Sequence, residues 1–477
     1  MPFFIKSRRG NTSGSRFSKG GSKRKNSQNN NDPGSKKRTK REDEEIESDS
    51  DIGSDVENNN RKVEYESSSE DEETAEEKKL RLAKQYLAQI EAEEAEKRED
   101  EDDINRDIVS HRLKQDILEQ TGRLQRQVAD NVSSPHSEDI TVLRGHQLSV
   151  TCVVISPDSR YLFTGSKDCS IIKWDIQKRK KVAVIPGGRK GTEKLHVGHT
   201  DHILCIAISS DGKYLASGGR NKLVHIWNPD DCTHIHYFPG HKDAISSLAF
   251  RKGTHQLFSA SHDRSVKIWN VDDRTYIETL FGHEDSITCA DSLSRDRAIT
   301  CGGRDGSVRI WKVVEESQLV FHGHKGSIDC VALINESNFV SGADDNSIAL
   351  WVVAKKKPLV TIQNAHGRKD EDGDQNIHKH VASSENWITA LTSLQHTDLI
   401  ASGSKDGCIR FWKAGENMKS LTPLFTVPVN GFVNSLKFSK DGDMLVAGIG
   451  QEHRLGRWWR IKEARNGAVV IKLKQKS

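Results

Sequence analysis

The eight cysteines include no Cys-x-x-Cys pair, so zinc-ribbon and thioredoxin-like chemistry has no anchor. No Gly-rich loop ends in Gly-Lys-Ser/Thr, so the phosphate cradle of a P-loop nucleotidase is absent. No apolar run approaches the roughly 18 residues that span a bilayer. Met1 to Ile5 is apolar but too short for the core of a signal peptide, and basic residues follow it. Cys152, Cys205, Cys289 and Cys330 each lie six residues after a histidine. Recurrence at one position marks them as small buried packers in a reducing compartment.

A modest net charge of +3 conceals strong segregation. Residues 1–41 hold 13 basic side chains against 1 acidic, and residues 42–77 hold 2 against 17. Neither block has the apolar surface needed to offset chain entropy, so residues 1–73 are expected to be a disordered basic, then acidic, tail. Residues 140–477 carry 46 basic side chains against 36 acidic, which favours an acidic partner such as nucleic acid.

Gly-His recurs at 145–146, 198–199, 240–241, 282–283 and 323–324, and His366 sits in Ala-His-Gly. Each of the first five precedes a tryptophan by a near-constant interval: Trp174, Trp227, Trp269, Trp311 and Trp351. A sixth unit runs from His366 to Trp412 with an insertion, and a seventh begins near "NGFVNSLKF", with Gly431 and Phe432 where Gly-His would stand. Within a unit the apolar period is two, as in "HILCIAIS", "YLASG" and "KLVHIW". These read as strands separated by turns such as "SSDGK", with a fourth strand before the next Gly-His.

Such a four-strand unit, with Gly-His at one end and a terminal Trp, resembles the WD40 repeat. The resemblance implies an all-β, seven-bladed propeller over residues 139–477. It also implies a buried relay of His, Ser/Thr, Asp and Trp. In unit one these are His146, Thr164, Asp168 and Trp174. Unit three has His241, Ser259, Asp263 and Trp269; unit five has His324, Ser341, Asp345 and Trp351. Buried polar groups need partners, so the four residues travel together. Asn221 replaces Asp in unit two and Cys301 is read in place of Ser in unit four, so weaker networks are expected there. Repetition marks the sets as structural, not as catalytic triads. Each histidine sits alone in its blade, which disfavours a metal site, and no cofactor is implied.

In the tail, Lys23, Arg24 and Lys25, then Lys36, Lys37, Arg38, Lys40 and Arg41, form two basic clusters that suit a bipartite nuclear import signal. Serines in "ESDSDIGSD" and "ESSSEDEE" resemble sites for an acidophilic kinase. Residues 74–132 turn to strong helix formers, with Leu80, Ala83, Leu87 and Ile90 on one stripe. A narrow stripe on a charged helix is expected to dock on a partner protein. "SSPHSED" around Pro135 ends that segment.

In a WD propeller the Gly-His connection and the Asp turn share the top face. There the sequence places Lys167, Arg220, Arg304 and Lys405, each just before the turn Asp or its equivalent. The insertion in the first interval adds Arg189 and Lys190. The seventh unit breaks the pattern in "GQEHRLGRWWRIKEARN", which contributes Arg454 and Arg457. These eight cations are the expected RNA-binding set. Trp458 stands where the blade Trp is expected, which leaves Trp459 on a neighbouring layer or exposed. The arginines are read as phosphate ligands, and base stacking by the aromatics is set aside. Which strand closes blade seven, Ile140–Leu143 or Val469–Leu473, stays open.

Longer blocks narrow the likeness. "EEKKLRLAKQYLAQIE", "LRGHQLSVTC", "KGTHQLFSASHDRSVKIWNV" and "GGRDGSVRIWKVVEESQLVFHGHKGSIDC" are similar to the family of U3 small nucleolar RNA-interacting WD-repeat proteins. That family implies a nucleolar, non-enzymatic scaffold of the U3 box C/D particle. It implies binding to the U3 B/C kink-turn together with its core protein, a role in pre-ribosomal RNA cleavage, and contacts to other processome proteins through the 74–132 helix. A chromatin adaptor would want an acidic propeller face, and a ubiquitin-ligase receptor would want Arg two residues after Trp-Asp, which "WDIQ" lacks.

Overall fold

Alternating apolar residues give each unit two-sided strands, and in a computed structural model they assemble as seven four-stranded antiparallel sheets. The structure describes Arg81, Lys84 and residues 126–474 except 190, 192–195, 368–385 and 416–417. The first strands of successive blades abut one another all the way round, from Val150–Ile155 to Phe432–Phe438 and back, which closes a ring. Closure leaves only short outer edges exposed.

The ring closes with a strand from the other end of the domain. Blade seven is ordered Phe432–Phe438, Met444–Gly450, Gly467–Lys472, Ile140–Leu143. Both candidate strands are therefore used: Gly467–Lys472 is third and Ile140–Leu143 outermost, with Ile140 opposite Ile471.

A side chain near the start of each first strand also bonds the backbone of the next blade. Thr151 Oγ1 donates to Ile203 O at 2.7 Å, Cys205 Sγ to Ile245 O at 3.6 Å, and Ser247 Oγ to Ala290 O at 3.1 Å. Thr288 Oγ1 reaches Ile328 O at 2.6 Å, Cys330 Sγ reaches Ile388 O at 3.3 Å, and Thr389 Oγ1 reaches Val433 O at 2.5 Å. Asn434 Nδ2 completes the circuit at Val150 O, 2.9 Å away. Three of the recurrent cysteines thus act as donors at blade seams, beyond filling space, since Cys289 Sγ also donates to Val331 O at 3.7 Å. Burial raises the thiols of Cys205 and Cys330 far above their ordinary range, which keeps them protonated and able to donate.

The N-terminal boundary lies earlier than Pro135. Arg126 bridges to Thr397, and the Val128 and Ala129 amides both donate to Asp398 Oδ1, at 2.7 and 3.0 Å. Ala129 and Val132 are buried with Leu394, Leu399 and Leu473. Ser133 N donates to Lys474 O at 2.9 Å. Residues 126–133 therefore belong to the propeller, on the side opposite the Asp turns. Of the expected 74–132 helix, Arg81 and Lys84 are helical and exposed, whereas residues 126–132 form a bridge and a single 3-10 turn, Ala129–Asn131, because they pack on the propeller. The acidic serines and the basic clusters Lys23–Lys25 and Lys36–Arg41 lie outside the described residues.

Candidate nucleic-acid interface

Six blades carry the polar relay. In blade one His146 Nε2 pairs with Thr164 Oγ1 at 2.8 Å and Nδ1 with Asp168 Oδ2 at 3.1 Å, while Trp174 Nε1 donates to Thr164 at 2.9 Å. Blade three repeats it: His241 lies 2.7 Å from Ser259 and 3.0 Å from Asp263, and Trp269 donates to Ser259 at 2.8 Å. In blade six His366 meets Ser402 and Asp406, each at 2.8 Å. Burial alone would push the Asp168 and Asp263 carboxyls up. The hydrogen bonds from His146 and His241, and those from Ser170 and Ser265, outweigh it and hold both below the usual range.

Blades four and five depart from expectation, and blade two follows it. Blade four is complete, because Thr300 supplies the hydroxyl: His283 Nε2 and Trp311 Nε1 both reach its Oγ1 at 2.8 Å. Cys301, read as the replacement, is the next residue along, and His283 to Thr300 is one residue shorter than in blades one to three. Blade five keeps His324 on Ser341 at 2.6 Å, but its Nδ1 meets Ser347 Oγ at 2.7 Å, and Asp345 acts through Ser347. Blade two holds His199 between Ser217 at 2.6 Å and Asn221 at 3.2 Å, so the relay survives without a carboxylate.

Blade seven has no relay. The ladder pairs Leu436 with Ala447 and Leu445 with Ile471, just as Val153 pairs with Thr164 and Leu162 with Trp174. Ala447 and Ile471 thus occupy the hydroxyl and Trp places. Four residues before Val433, the counterpart of Val150, stands Val429 in the histidine place. All three are buried. Gly431 and Phe432 are not the Gly-His equivalent, and Trp458 is not the blade Trp. It belongs to no strand and is 56% exposed.

Residues 451–466 instead form an ordered loop over the mouth of the channel, between the strands Met444–Gly450 and Gly467–Lys472. Glu452 pairs with Arg460 as an isolated bridge, and Ile461 N donates to Gln451 O at 2.9 Å. The Glu452 carboxylate is the loop's keystone, accepting Lys167 Nζ at 3.4 Å and Arg457 Nε at 3.1 Å. Lys167 also donates to Gly456 O at 3.3 Å. Arg454 turns inward: its Nη2 donates to Thr288 O at 3.2 Å and to Asp329 O at 3.3 Å, on the first strands of blades four and five. It thereby plugs the channel. Burial pushes the nearby Asp329 carboxyl up to about 7, against the pull of Arg454. His453 is buried beneath the loop, and burial followed by the charges of Arg454 and Lys167 lowers it to about 3, so it is neutral.

The expected cation set therefore divides. All seven described members lie on the top face, on the turns between second and third strands or on the blade-one to blade-two connection. Lys167 is buried and ion-paired, and Arg454 is internal; neither is presented to a ligand. Burial, only partly offset by Glu452, lowers the Lys167 ammonium from its ordinary value. Arg304 and Arg189 are exposed, and Lys190 lies outside the described residues. Arg220 is exposed and steadies the loop through Leu455 O at 2.8 Å. Arg457 keeps a side chain 67% exposed despite its pairing. Lys405 Nζ lies 3.6 Å from the ring centroid of Trp459. Sequence reasoning missed the aromatic group around that contact, Trp387, His453, Trp458 and Trp459, because Trp387 comes from blade six.

The architecture and its repeats define a WD-repeat propeller. The WD domain, G-beta repeat, matches residues 137–175, 192–228, 232–270, 274–312, 315–352 and 375–413, and so omits blade seven. U3 small nucleolar RNA-interacting protein 2 from Homo sapiens is 57% identical over 402 residues, 84% of this chain and 83% of that one. Ribosomal RNA-processing protein 9 from Saccharomyces cerevisiae is 27% identical, covering 82% and 88%. Two solved structures, of U3-55K and of the RRP9 WD40 repeats, are each 55% identical and cover all of their own chains. They superpose with TM-scores of 0.66 and 0.67 over 71% and 72% of this chain. The chain belongs to the family of U3 small nucleolar RNA-interacting WD-repeat proteins.

Proposed function

We propose that the chain is a non-enzymatic scaffold of the U3 small nucleolar ribonucleoprotein. Its top face binds the B/C kink-turn of U3 RNA together with the core protein already seated there, in nucleolar processing of pre-ribosomal RNA. The observation that carries this reading is the ring of exposed cations, Arg220, Arg304 and Arg457, fixed on rigid turns around a plugged channel. A kink-turn is recognised through backbone and shape, and a rigid basic surface suits that task. The relay residues are consumed in holding the blades, which leaves the top surface as the working part.

Charge reversal at Arg304 and Arg457 (R304E with R457E) tests the reading. Retention of U3 RNA by the full chain should fall at least tenfold; R304E with Arg457→Gln, which removes the cation without setting a carboxylate beside Glu452, should fall likewise while holding the melting temperature. Each cation withdrawn from a phosphate also flattens the dependence of log affinity on log salt by about 0.7–0.9. Unchanged retention of that RNA would overturn the proposal. Arg454 is the wrong residue for this test, since its replacement would unplug the channel.

A further inference from the structure

We infer that Trp458 is a stacking platform for one unpaired RNA base, an inference that rests on the RNA-binding reading above. The two adjacent tryptophans do different work. Trp459 packs against Trp387, ring centroids 5.2 Å apart, and its other neighbour is the Lys405 ammonium. Its face is used internally. Trp458 lies against Gly456: a Cβ built on that glycine would sit 1.7 Å from the Trp458 ring, so only glycine permits the approach. The tilted contacts to His453, 5.8 Å, and Trp387, 6.5 Å, fix its orientation. The ring nevertheless remains 56% exposed. An oriented aromatic left open beside cations can receive the flat face of a base.

Charge complementarity identifies the occupant. Arg457 adjoins Trp458 in sequence, Arg460 is held two residues further on by Gln451 Oε1 at 3.0 Å, and Lys405 lies over Trp459. Glu452, on the same loop, is buried and already paired with two cations. An apolar π-face ringed by cations suits a base whose own phosphates reach the arginines, and suits an apolar peptide poorly. A duplex keeps its bases stacked, so the ligand is a nucleotide splayed from a bulge or loop.

A two-way cycle tests this on the full chain. The probe is a kink-turn RNA loaded with its core protein, prepared intact and with an abasic residue at each unpaired position in turn. Trp458→Ala should weaken binding of intact RNA about tenfold, as expected when a single stack is removed, while Trp458→Phe stays within about threefold of the parent. On the RNA lacking the stacked base, Trp458→Ala should change affinity less than about twofold. Equal loss on every RNA, no loss on any, or weakened capture of the core protein alone would each overturn the platform. If the parent chain binds none of these RNAs, the functional reading itself fails, a result distinct from the other three.

Discussion

Blades one to six and blade seven solve the same problem in opposite ways. In the six, a histidine spans a second-strand hydroxyl and an acid, an amide or, in blade five, the Ser347 hydroxyl that the acid holds, so the turn between second and third strands is held tight. The residue after the Asp or Asn adopts a left-handed conformation in blades one to six, from Cys169 (φ 66°) and Lys222 (φ 65°) to Gly407 (φ 74°). In blade seven Val429, Ala447 and Ile471 remove every polar member together. Removing all partners leaves no unsatisfied group, so the exchange need not cost stability. It frees the turn to lengthen into residues 451–466. Order in that loop then rests on the buried Glu452–Lys167 pair, between blades seven and one.

That difference predicts where each design breaks. The largest effect should come from Glu452→Ala, which strands the Lys167 ammonium in a site only 4% exposed. Orphaning one member of a buried pair costs about 3–5 kcal/mol. Urea unfolding should show a loss of that order, and Lys167→Met added to Glu452→Ala should restore most of it. A neutral Glu452→Ala would mean that the loop is held by its other contacts.

Within the relay blades the acid differs in reach. Asp263 accepts from His241, from the Lys242 and Ser265 amides and from Ser265 Oγ. Among the described residues, Asp345 accepts from the Ser347 amide and from Ser347 Oγ. Charge-assisted hydrogen bonds contribute about 1.5–3 kcal/mol each in net stability, with large overlap when they share an acceptor. Asp263→Ala should therefore cost about 3 kcal/mol and Asp345→Ala about 1 kcal/mol, read as denaturant midpoints. Equal costs would show that Ser347 transmits the full interaction.

Much of this was legible in one sequence because each blade is local. The Gly-His to Trp interval and the period-two strands are short-range signals repeated six times, and they place blade order, relay and turn together. Thr300 escaped because one residue fewer separates it from His283. Counting back from the Asp turn also lands on Cys301, because one residue more separates Thr300 from Asp305, and only the pairing of Ala290 with Thr300 identifies it. Trp458 misled because spacing alone imitates the blade Trp. Yet "GRWWR" lacks the alternating apolar residues of a strand, and "GAVVIK" supplies them later. The inward turn of Arg454 and the seating of Trp387 beside Trp459 were not legible. Both depend on blades four to seven meeting at the channel, contacts that no local pattern encodes.

The last difference separates blade two from its carboxylate-bearing neighbours, and it needs acid to be seen. His199 is buried beside Asn221, and desolvation lowers it to about 4, while His225 behind it falls to about 2. A histidine held below its ordinary 6.5 stays neutral in the folded chain, whereas the unfolded chain takes up the proton once pH drops beneath 6.5. The stability it contributes is full above 6.5, shrinks as pH falls, and levels off near 4, where His199 itself protonates. The aspartates of blades one and three are depressed groups of the other kind, and their contribution fails only as pH falls below about 3.8, the ordinary aspartate value. Blade two should therefore weaken first on acidification. Asn221→Asp gives His199 an anionic partner that stabilises its protonated form. Between pH 7.5 and pH 5 the variant should lose about 2 kcal/mol less than the parent, from 1.5 pH units at about 1.4 kcal/mol each. His225 continues to titrate, so the slope is reduced without being abolished. Parallel melting curves for parent and variant across that range would show instead that Asn221 does not set the acid response of this blade.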